Sequence, residues 1–367
     1  MPDRTAIPFN DLRHQLEFIQ DELIAKLGSA LGTNISSDIT ACFESTFAEF
    51  CGVAHALSVG SVSEALNLSL RSLDIKSGDE VIMAPNNGSE VAYAVIRAGA
   101  KPVFADIDAH TYLIDTAFVE DAITKRIKAV IAAHTYGQPA DMIELRRVAK
   151  DYDIAIIEDA SSAAGAVLGD ARVGSFGDIA ICNMGAGGTL NCCGEGAMVL
   201  AGATFYERVA EARGSIERER GHMHCLNPLQ AAVLSVKLAH LDRWNTVRRY
   251  NARLYNERLV DTRIQPPTVG AMVTPVFSEY VVRVQNRDEL HHRLTSCSIE
   301  TRMPKHTQLH LHPEFDKYGY RPGMLPVAER IAGELLSLPL YPELSEAKID
   351  RVASELLRCT AEQCRAA

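Results

Sequence analysis

The chain has 367 residues, of which 47% are hydrophobic and 23% are charged, and its formal net charge is −10 at pH 7. A chain of this length and composition can bury a large core, and we expect one large domain with a smaller second one. The acidic balance, with no run of Lys and Arg, argues against nucleic acid or an anionic membrane surface as a partner.

The N-terminal residues 1–5 carry no apolar signal core. No apolar stretch of the sequence reaches the roughly 18 to 20 residues that a membrane span needs. We therefore expect a cytoplasmic protein. The nine cysteines are an odd number, and in such a protein we expect most of them to be reduced rather than paired.

Apolar residues with helical spacing open the chain, and β-rich runs follow in alternation with helical patterns. The helical spacing covers Leu12, Leu16, Ile19, Leu23, Ile24 and Leu27. The continuously apolar runs lie at residues 80–83, 102–105, 129–133, 154–157 and 179–182. Runs of this kind are typical of strands that helices cover on both faces, so the sequence predicts parallel βαβ units over about residues 50 to 200.

The pattern becomes helical again from Leu229 to about Leu259, and a break at Pro266 and Pro267 precedes alternating strands and helices. We therefore predict two domains. Residues 1–240, with the N-terminal helical segment, form the large one, and residues 241–367 form a smaller C-terminal α/β domain.

Residues just beyond the predicted strands are the candidates for chemistry, because ligands of an open parallel sheet bind outside the carboxyl ends of its strands. Ser61 and Ser63 open a helix whose N-terminus can receive an anion. Asp159 follows another strand, and the glycine-rich segment 182–188 follows the last one.

Motifs along almost the whole chain match one family in the same order. They include Gly78-Asp79-Glu80-Val81-Ile82, His134-Thr135-Tyr136-Gly137-Gln138, Ile157-Glu158-Asp159-Ala160, Val173-Gly174-Ser175-Phe176-Gly177-Asp178 and Ser337-Leu338-Pro339-Leu340-Tyr341. By these motifs the chain resembles the DegT/DnrJ/EryC1/StrS sugar aminotransferases, which are fold-type-I enzymes dependent on pyridoxal phosphate (PLP). The resemblance implies an α/β fold with a mostly parallel, seven-stranded-type sheet in the large domain, and a smaller C-terminal α/β domain. It also implies a homodimer whose segment 221–225 crosses to the partner subunit.

The resemblance implies that most of the cofactor apparatus is altered. Asp159 takes the place of the acid that pairs with the ring nitrogen of PLP, and this acid is kept. The changed positions are Val62 in Ser61-Val62-Ser63, where the family has Ser-Gly-Thr at the phosphate helix, Gly88 for the stacking aromatic residue, Ser162 and Ala164 for a Gln and a His, Asn183 for a Ser, and Met223 and Cys225 on the crossing segment. The Schiff-base lysine falls on Gly188. Because glycine can neither form an aldimine nor move the α-proton, we expect neither covalent PLP nor ordinary transamination.

The first interpretation of this pocket is a repurposed, PLP-independent enzyme that acts on a sugar-related molecule or a natural-product intermediate. His222 or His224 would act as a general base of near-neutral pKa, with Asp159 and Glu195 as acids. We favour this interpretation because these residues and Glu90 are polar replacements. A metal ion held by Cys192, Cys193 and Cys225 is a further option, although their spacing matches no standard metal motif.

Two alternatives stay open. One is a non-catalytic pseudoenzyme that binds or scaffolds an active homologue. The other is a lysine-free, dehydratase-like enzyme with non-covalent PLP or pyridoxamine phosphate (PMP). A repurposed enzyme predicts a closed cavity where His224, Asp159 and Glu195 converge, whereas a pseudoenzyme predicts a cavity collapsed or filled by Met184 and Met223. The alternative interpretation of the cysteines is that they are core residues, and that of Asp159 is that it accepts backbone hydrogen bonds only.

Overall fold

The computed structural model describes residues 6–32, 37–185, 188–220, 225–304 and 308–366. Its α-helices are α1 Leu12–Phe18, α2 Gln20–Gly32, α3 Ser37–Cys51, α4 Val62–Ser72, α5 Ser89–Arg97, α6 Thr116–Asp121, α7 Met142–Tyr152, α8 Ala203–Arg220, α9 Pro228–Leu259, α10 Arg287–Ser296, α11 Pro326–Ala332 and α12 Glu346–Ala366. Within these described ranges, no helix combines the length and the apolar character needed to cross a membrane.

The strands form one large sheet and two small ones. They are β1 His55–Val59, β2 Glu80–Met83, β3 Lys101–Phe104, β4 Ile127–Ala133, β5 Ala155–Asp159, β6 Val167–Leu168, β7 Ala171–Arg172, β8 Ile179–Asn183, β9 Ala197–Ala201, β10 Val273–Thr274, β11 Tyr280–Arg283 and β12 Leu335–Leu338. Short 3₁₀ helices lie at Thr135–Gly137, Leu309–Leu311 and Pro313–Tyr318.

The large sheet has seven strands in the order β1-β9-β8-β5-β4-β2-β3. Strand β9 runs antiparallel to both of its neighbours, and the other pairs are parallel. The predicted α/β class with a mostly parallel, seven-stranded sheet is therefore confirmed. All five apolar runs are strands, and every residue of β2 is buried because helices cover the sheet on both sides.

The C-terminal part has its own core. The strands β11 and β12 pair antiparallel and pack with α10, α12 and the second half of α9. Near the N-terminus, Ile7 forms a parallel bridge with Ile299 and is buried in this core.

Helix α9 begins where the sequence predicts it. Asn227 accepts a hydrogen bond from the Gln230 N–H, the Gln230 side chain accepts from the Asn227 N–H, and Pro228 takes the first helical position. The helix runs without a break through residue 240. The division of the chain at that residue stays a prediction.

Candidate functional site

A cleft of about 940 Å³ lies at the carboxyl ends of the central strands. Its large-domain wall includes Val62, Asn86, Asn87, Gly88, Glu90, Ala133, His134, Asp159, Ser161, Ser162 and Asn183. Its other wall comes from the C-terminal part and includes Glu279, Arg287, His291, Thr301, Arg302 and Met303. The cleft lies where an open parallel sheet is expected to bind its ligand, and it has not collapsed.

Asp159, the last residue of β5, places its carboxyl group in this cleft. Its Oδ1 accepts a hydrogen bond from the backbone N–H of Ser161 at 3.0 Å. Burial raises the pKa of the Asp159 carboxyl above its ordinary value, and the negative charge of Glu90 adds to this rise, while Ser161 opposes it. A carboxyl group with a raised pKa can hold a proton, which suits an acid in catalysis.

Gly188 lies in a tight turn that leaves no room for a side chain. Its N–H donates to the carbonyl oxygen of Gly185 at 3.3 Å. A Cβ atom at position 188 would lie 2.8 Å from the carbonyl oxygen of Asn183 and 3.2 Å from that of Leu190. Both obstacles are backbone atoms, which cannot rotate away as a side chain can. Position 188 carries no side chain that could hold PLP covalently, and no lysine is found among the described residues that line the cleft.

A carboxylate occupies the space beside Gly88, where the family resemblance implies an aromatic ring. A Cβ atom at position 88 would collide with the carboxyl group of Glu90, which lies in the first turn of α5. Since Glu90 also lines the cleft, this wall offers a charged acceptor in place of a flat ring face.

The two residues predicted to bind phosphate at the start of α4, Ser61 and Ser63, lie in different environments in the structure. The Ser61 hydroxyl accepts a hydrogen bond from the N–H of Glu64 at 3.2 Å and so caps the helix. Ser63 lines a different surface groove, together with Asn67 and Arg71. Of this segment, only Val62 lines the cleft, whereas Ser162 and Asn183 both face it as expected.

The predicted convergence of His224, Asp159 and Glu195 stays a prediction, because His224 lies outside the described residues. Glu195 is exposed and is absent from the residues that line the cleft, because the turn before β9 holds it beside Gly185 instead. His222 and His224 lie outside the described residues, as does Met223. Met184 is fully buried in the core below the cleft and does not fill it.

The three cysteines proposed for a metal do not share one environment. Cys192 is 1% exposed, whereas Cys193 and Cys225 are exposed. Burial raises the pKa of Cys192, which favours the thiol over the metal-binding thiolate. Among the residues that the structure describes, no group of three or more His, Cys, Asp or Glu side chains could hold a metal ion. Cys182 and Cys192 instead pack in the hydrophobic core.

His291 is the site residue that sequence reasoning missed. It lies in α10, lines the cleft, and places its Nδ1 2.7 Å from Oγ1 of Thr301. Burial lowers its pKa, and the positive charges of His292 and Arg287 lower it further. No local motif marks His291 in the sequence, because only the packing of the C-terminal part brings α10 to the sheet.

His134 also lines the cleft, but both of its ring nitrogens already form hydrogen bonds within the protein. It is 1% exposed, with Nε2 2.8 Å from Oε1 of Glu158 and Nδ1 accepting from the N–H of Ala140 at 3.0 Å. Its role is therefore to hold the ends of β4 and β5 in place.

Asn87 is buried at the cleft without a partner. It is 3% exposed, and neither its Oδ1 nor its Nδ2 hydrogen-bonds to any described residue. The Oδ1 of Asn86 is likewise unpartnered, although its Nδ2 donates to the carbonyl of Tyr112 at 2.8 Å. Buried amides are almost always hydrogen-bonded, so these atoms mark a place that a ligand or water completes.

The sheet order and the position of the cleft define a protein of the fold-type-I aminotransferase class. Residues 17–357 match the model of the DegT/DnrJ/EryC1/StrS aminotransferase family, and the chain belongs to this family.

Relatives of known name match nearly the whole chain. A pleiotropic regulatory protein of Geobacillus stearothermophilus is 36% identical over 95% of this chain and 97% of its own length. UDP-N-acetyl-3-dehydro-α-D-glucosamine 3-aminotransferase of Acidithiobacillus ferrooxidans is 34% identical, with 98% and 99% covered. The crystal structure of DesV from S. venezuelae, in complex with a ketimine intermediate, superposes with a TM-score of 0.91 at 33% identity and covers 96% of this chain and 98% of DesV.

Proposed function

We propose that this protein is an enzyme that acts on a sugar-derived small molecule by acid–base chemistry without covalently bound PLP. One observation carries the proposal. Backbone carbonyls close off the space for a side chain at Gly188, while the cleft beside it stays open and keeps Asp159. An open cleft with no amine at position 188 supports chemistry other than that of a Schiff base.

Two titratable groups, Asp159 and His291, line this cleft, and their pKa values are shifted in opposite directions. The pKa of Asp159 is raised, so the residue can supply a proton, and the pKa of His291 is lowered, so the residue is neutral and can accept one. Groups whose pKa values are pushed apart in one site are the usual assignment of acid and base. In the tautomer whose Nδ1–H donates to Oγ1 of Thr301, Nε2 of His291 carries the free lone pair.

The substrate class follows from the relatives and from the size of the cleft. The Acidithiobacillus relative is named for a nucleotide sugar that carries a keto group. Pockets of roughly 300 to 1,000 Å³ are typical of small-molecule sites. The proposed reaction is proton transfer at a carbon next to a carbonyl group of such a sugar. His291 removes the proton, and Asp159 donates a hydrogen bond to the carbonyl oxygen.

The test combines a spectrum with an exchange assay on the purified protein. After incubation with PLP or with PMP and removal of the unbound cofactor by gel filtration, we expect no absorbance band between about 320 and 430 nm and no adduct after borohydride. The same sample, without cofactor, should exchange deuterium from D₂O into UDP-N-acetyl-3-dehydro-α-D-glucosamine, as measured by mass spectrometry. Exchange no faster than the uncatalysed rate would favour a pseudoenzyme, and a bound, non-covalent PMP would favour the dehydratase-like alternative.

Restoring the lysine should not restore the aldimine. In Gly188→Lys, the new Cβ would meet the carbonyl oxygen of Asn183, so the turn must open before the amine can point into the cleft. We expect no borohydride-trapped PLP in this variant, and an overpacking cost of about 1–3 kcal/mol in the free energy of unfolding. A stoichiometric adduct at position 188 would show that the turn adapts freely and would contradict this prediction.

We further propose that the protein works as a homodimer in the cytoplasm, with a small molecule as its partner in the cleft. The homodimer is proposed from the family resemblance, which implies that segment 221–225 crosses to the partner subunit. The cytoplasmic location is proposed from the amino-acid composition.

A further inference from the structure

We propose that Glu90, Asn87 and Asn86 form a subsite that binds a protonated amino group of the sugar ligand, beside one of its hydroxyl groups. This inference rests on the proposed function, because it takes the cleft as a substrate site. It names the class of ligand as an amino sugar, or a keto sugar that carries an amino group.

The first support is an anionic group without a counter-charge. The carboxylate of Glu90 lines the cleft and lies against Gly88, and no hydrogen bond or ion pair joins it to another residue in the described ranges. The charge of Glu90 contributes to the raised pKa of Asp159, so a second acid lies within its electrostatic reach. A cation from the ligand would therefore find an unshared acceptor at this end of the cleft.

The second support is independent of charge. The amide of Asn87 is buried at the same wall with all of its polar atoms unpartnered, and the Oδ1 of Asn86 next to it is also free. An amide offers one acceptor and two donors, which match an ammonium group and an adjacent hydroxyl group of a sugar. Buried polar atoms without hydrogen-bond partners are unfavourable, so a ligand that supplies those partners binds more tightly.

The opposite wall gives the ligand its direction. Arg287, which also pairs with Asp288, and Arg302 line the cleft from the C-terminal part, whereas Glu90 lines it from the large domain. A ligand with an amino group at one end and an anionic group at the other matches this arrangement. A divalent metal ion is the weaker occupant, because no group of three or more His, Cys, Asp or Glu side chains that could hold one is found among the described residues.

The experiment compares two ligands that differ only at one carbon. Isothermal titration calorimetry measures the binding of UDP-N-acetyl-3-amino-3-deoxy-α-D-glucosamine and of UDP-N-acetyl-α-D-glucosamine, which carries a hydroxyl group at that carbon. We expect the amino ligand to bind about tenfold more tightly, equal to about 1.4 kcal/mol. In Glu90→Gln this preference should vanish.

Two further variants complete the design. Asn87→Ala should weaken the binding of both ligands, because its amide contacts the neighbouring hydroxyl in each. Glu257→Gln is the matched control, since Glu257 is an exposed acid on α9 that pairs with Arg253 at 3.5 Å outside the cleft. This control should keep the full preference for the amino ligand.

Equal affinity of the two ligands, no binding of either one, or a preference that survives in Glu90→Gln would overturn the inference. The absorbance spectrum of the same sample separates this failure from that of the proposed function. A borohydride-trapped PLP adduct would overturn the proposed function and, with it, this inference. If the spectrum shows no bound cofactor and the two ligands bind with equal affinity, the inference alone would be overturned.

Discussion

Replacing His291 by glutamine is expected to slow the deuterium exchange catalysed by the protein by about 10²- to 10⁴-fold, the usual contribution of a general base. Glutamine can keep a hydrogen bond to Thr301, whose Oγ1 lies 2.7 Å from the His291 ring, but it cannot take up a proton. The loss should therefore appear in kcat, with little change in KM. Mass spectrometry of the keto sugar in D₂O measures the rate.

The neighbouring His292 provides the matched control. It is exposed and does not line the cleft, so His292→Gln should keep nearly the full rate. A rate in His291→Gln equal to that of the control would remove His291 from the mechanism.

The pH profile of the exchange should be bell-shaped. Because the pKa of His291 is lowered, its base form is complete at neutral pH and is lost as the pH falls through that pKa. Because the pKa of Asp159 is raised, its acid form persists to a higher pH than usual and is lost as the pH rises further. In Asp159→Asn the alkaline limb should disappear. A profile whose alkaline limb is unchanged in that variant would contradict the role of Asp159.

Replacing Glu158 by alanine is expected to lower the free energy of unfolding by about 3–5 kcal/mol, because each buried donor that loses its partner costs about 1–3 kcal/mol. The Glu158 carboxylate is 0% exposed and accepts hydrogen bonds from Nε2 of His134 at 2.8 Å and from the N–H groups of Gly174 at 2.6 Å and Phe176 at 2.8 Å. The variant leaves these donors buried and unpartnered. Urea unfolding followed by circular dichroism measures the change.

The same site predicts a dependence of stability on pH. Burial alone would raise the pKa of Glu158, but the hydrogen bonds from His134, Gly174 and Gly177 outweigh it, so the folded-state pKa lies below the usual value. This contribution is therefore complete above the unfolded-state pKa of about 4.3 and is lost as the pH falls through the folded-state pKa. In Glu158→Ala, the part of the stability that is lost at acid pH should be missing. The exposed Glu257→Ala should change stability by no more than about 0.5 kcal/mol, and an equal loss in both variants would contradict the argument.

Local patterns in the sequence were enough to predict the framework. The run at residues 80–83 is strand β2 with the same bounds, and the helical pattern from Leu229 to Leu259 is α9, which starts one residue earlier at Pro228. These features are local, because burial on both faces of a strand and the capping of a helix end are written in neighbouring residues.

Long-range packing decided most of the site. Cys192 and Cys193 are adjacent in sequence, yet one is buried in the core and the other is exposed. Glu195, which was predicted to converge with Asp159, is held beside Gly185 by the turn before β9. The direction of a loop side chain depends on partners far along the chain, so a single sequence carries no periodic signal for it.

By itself, the sequence determined the α/β fold, the strand end that carries Asp159, and the glycine at position 188. Only the tertiary structure decided that position 188 has no space for a side chain, that Glu90 lies beside Gly88, and that His291 reaches the cleft from α10. The physical reason is the range of the interactions. Strand and helix patterns arise between near neighbours, whereas the cleft forms between segments more than a hundred residues apart, whose meeting depends on the packing of two cores.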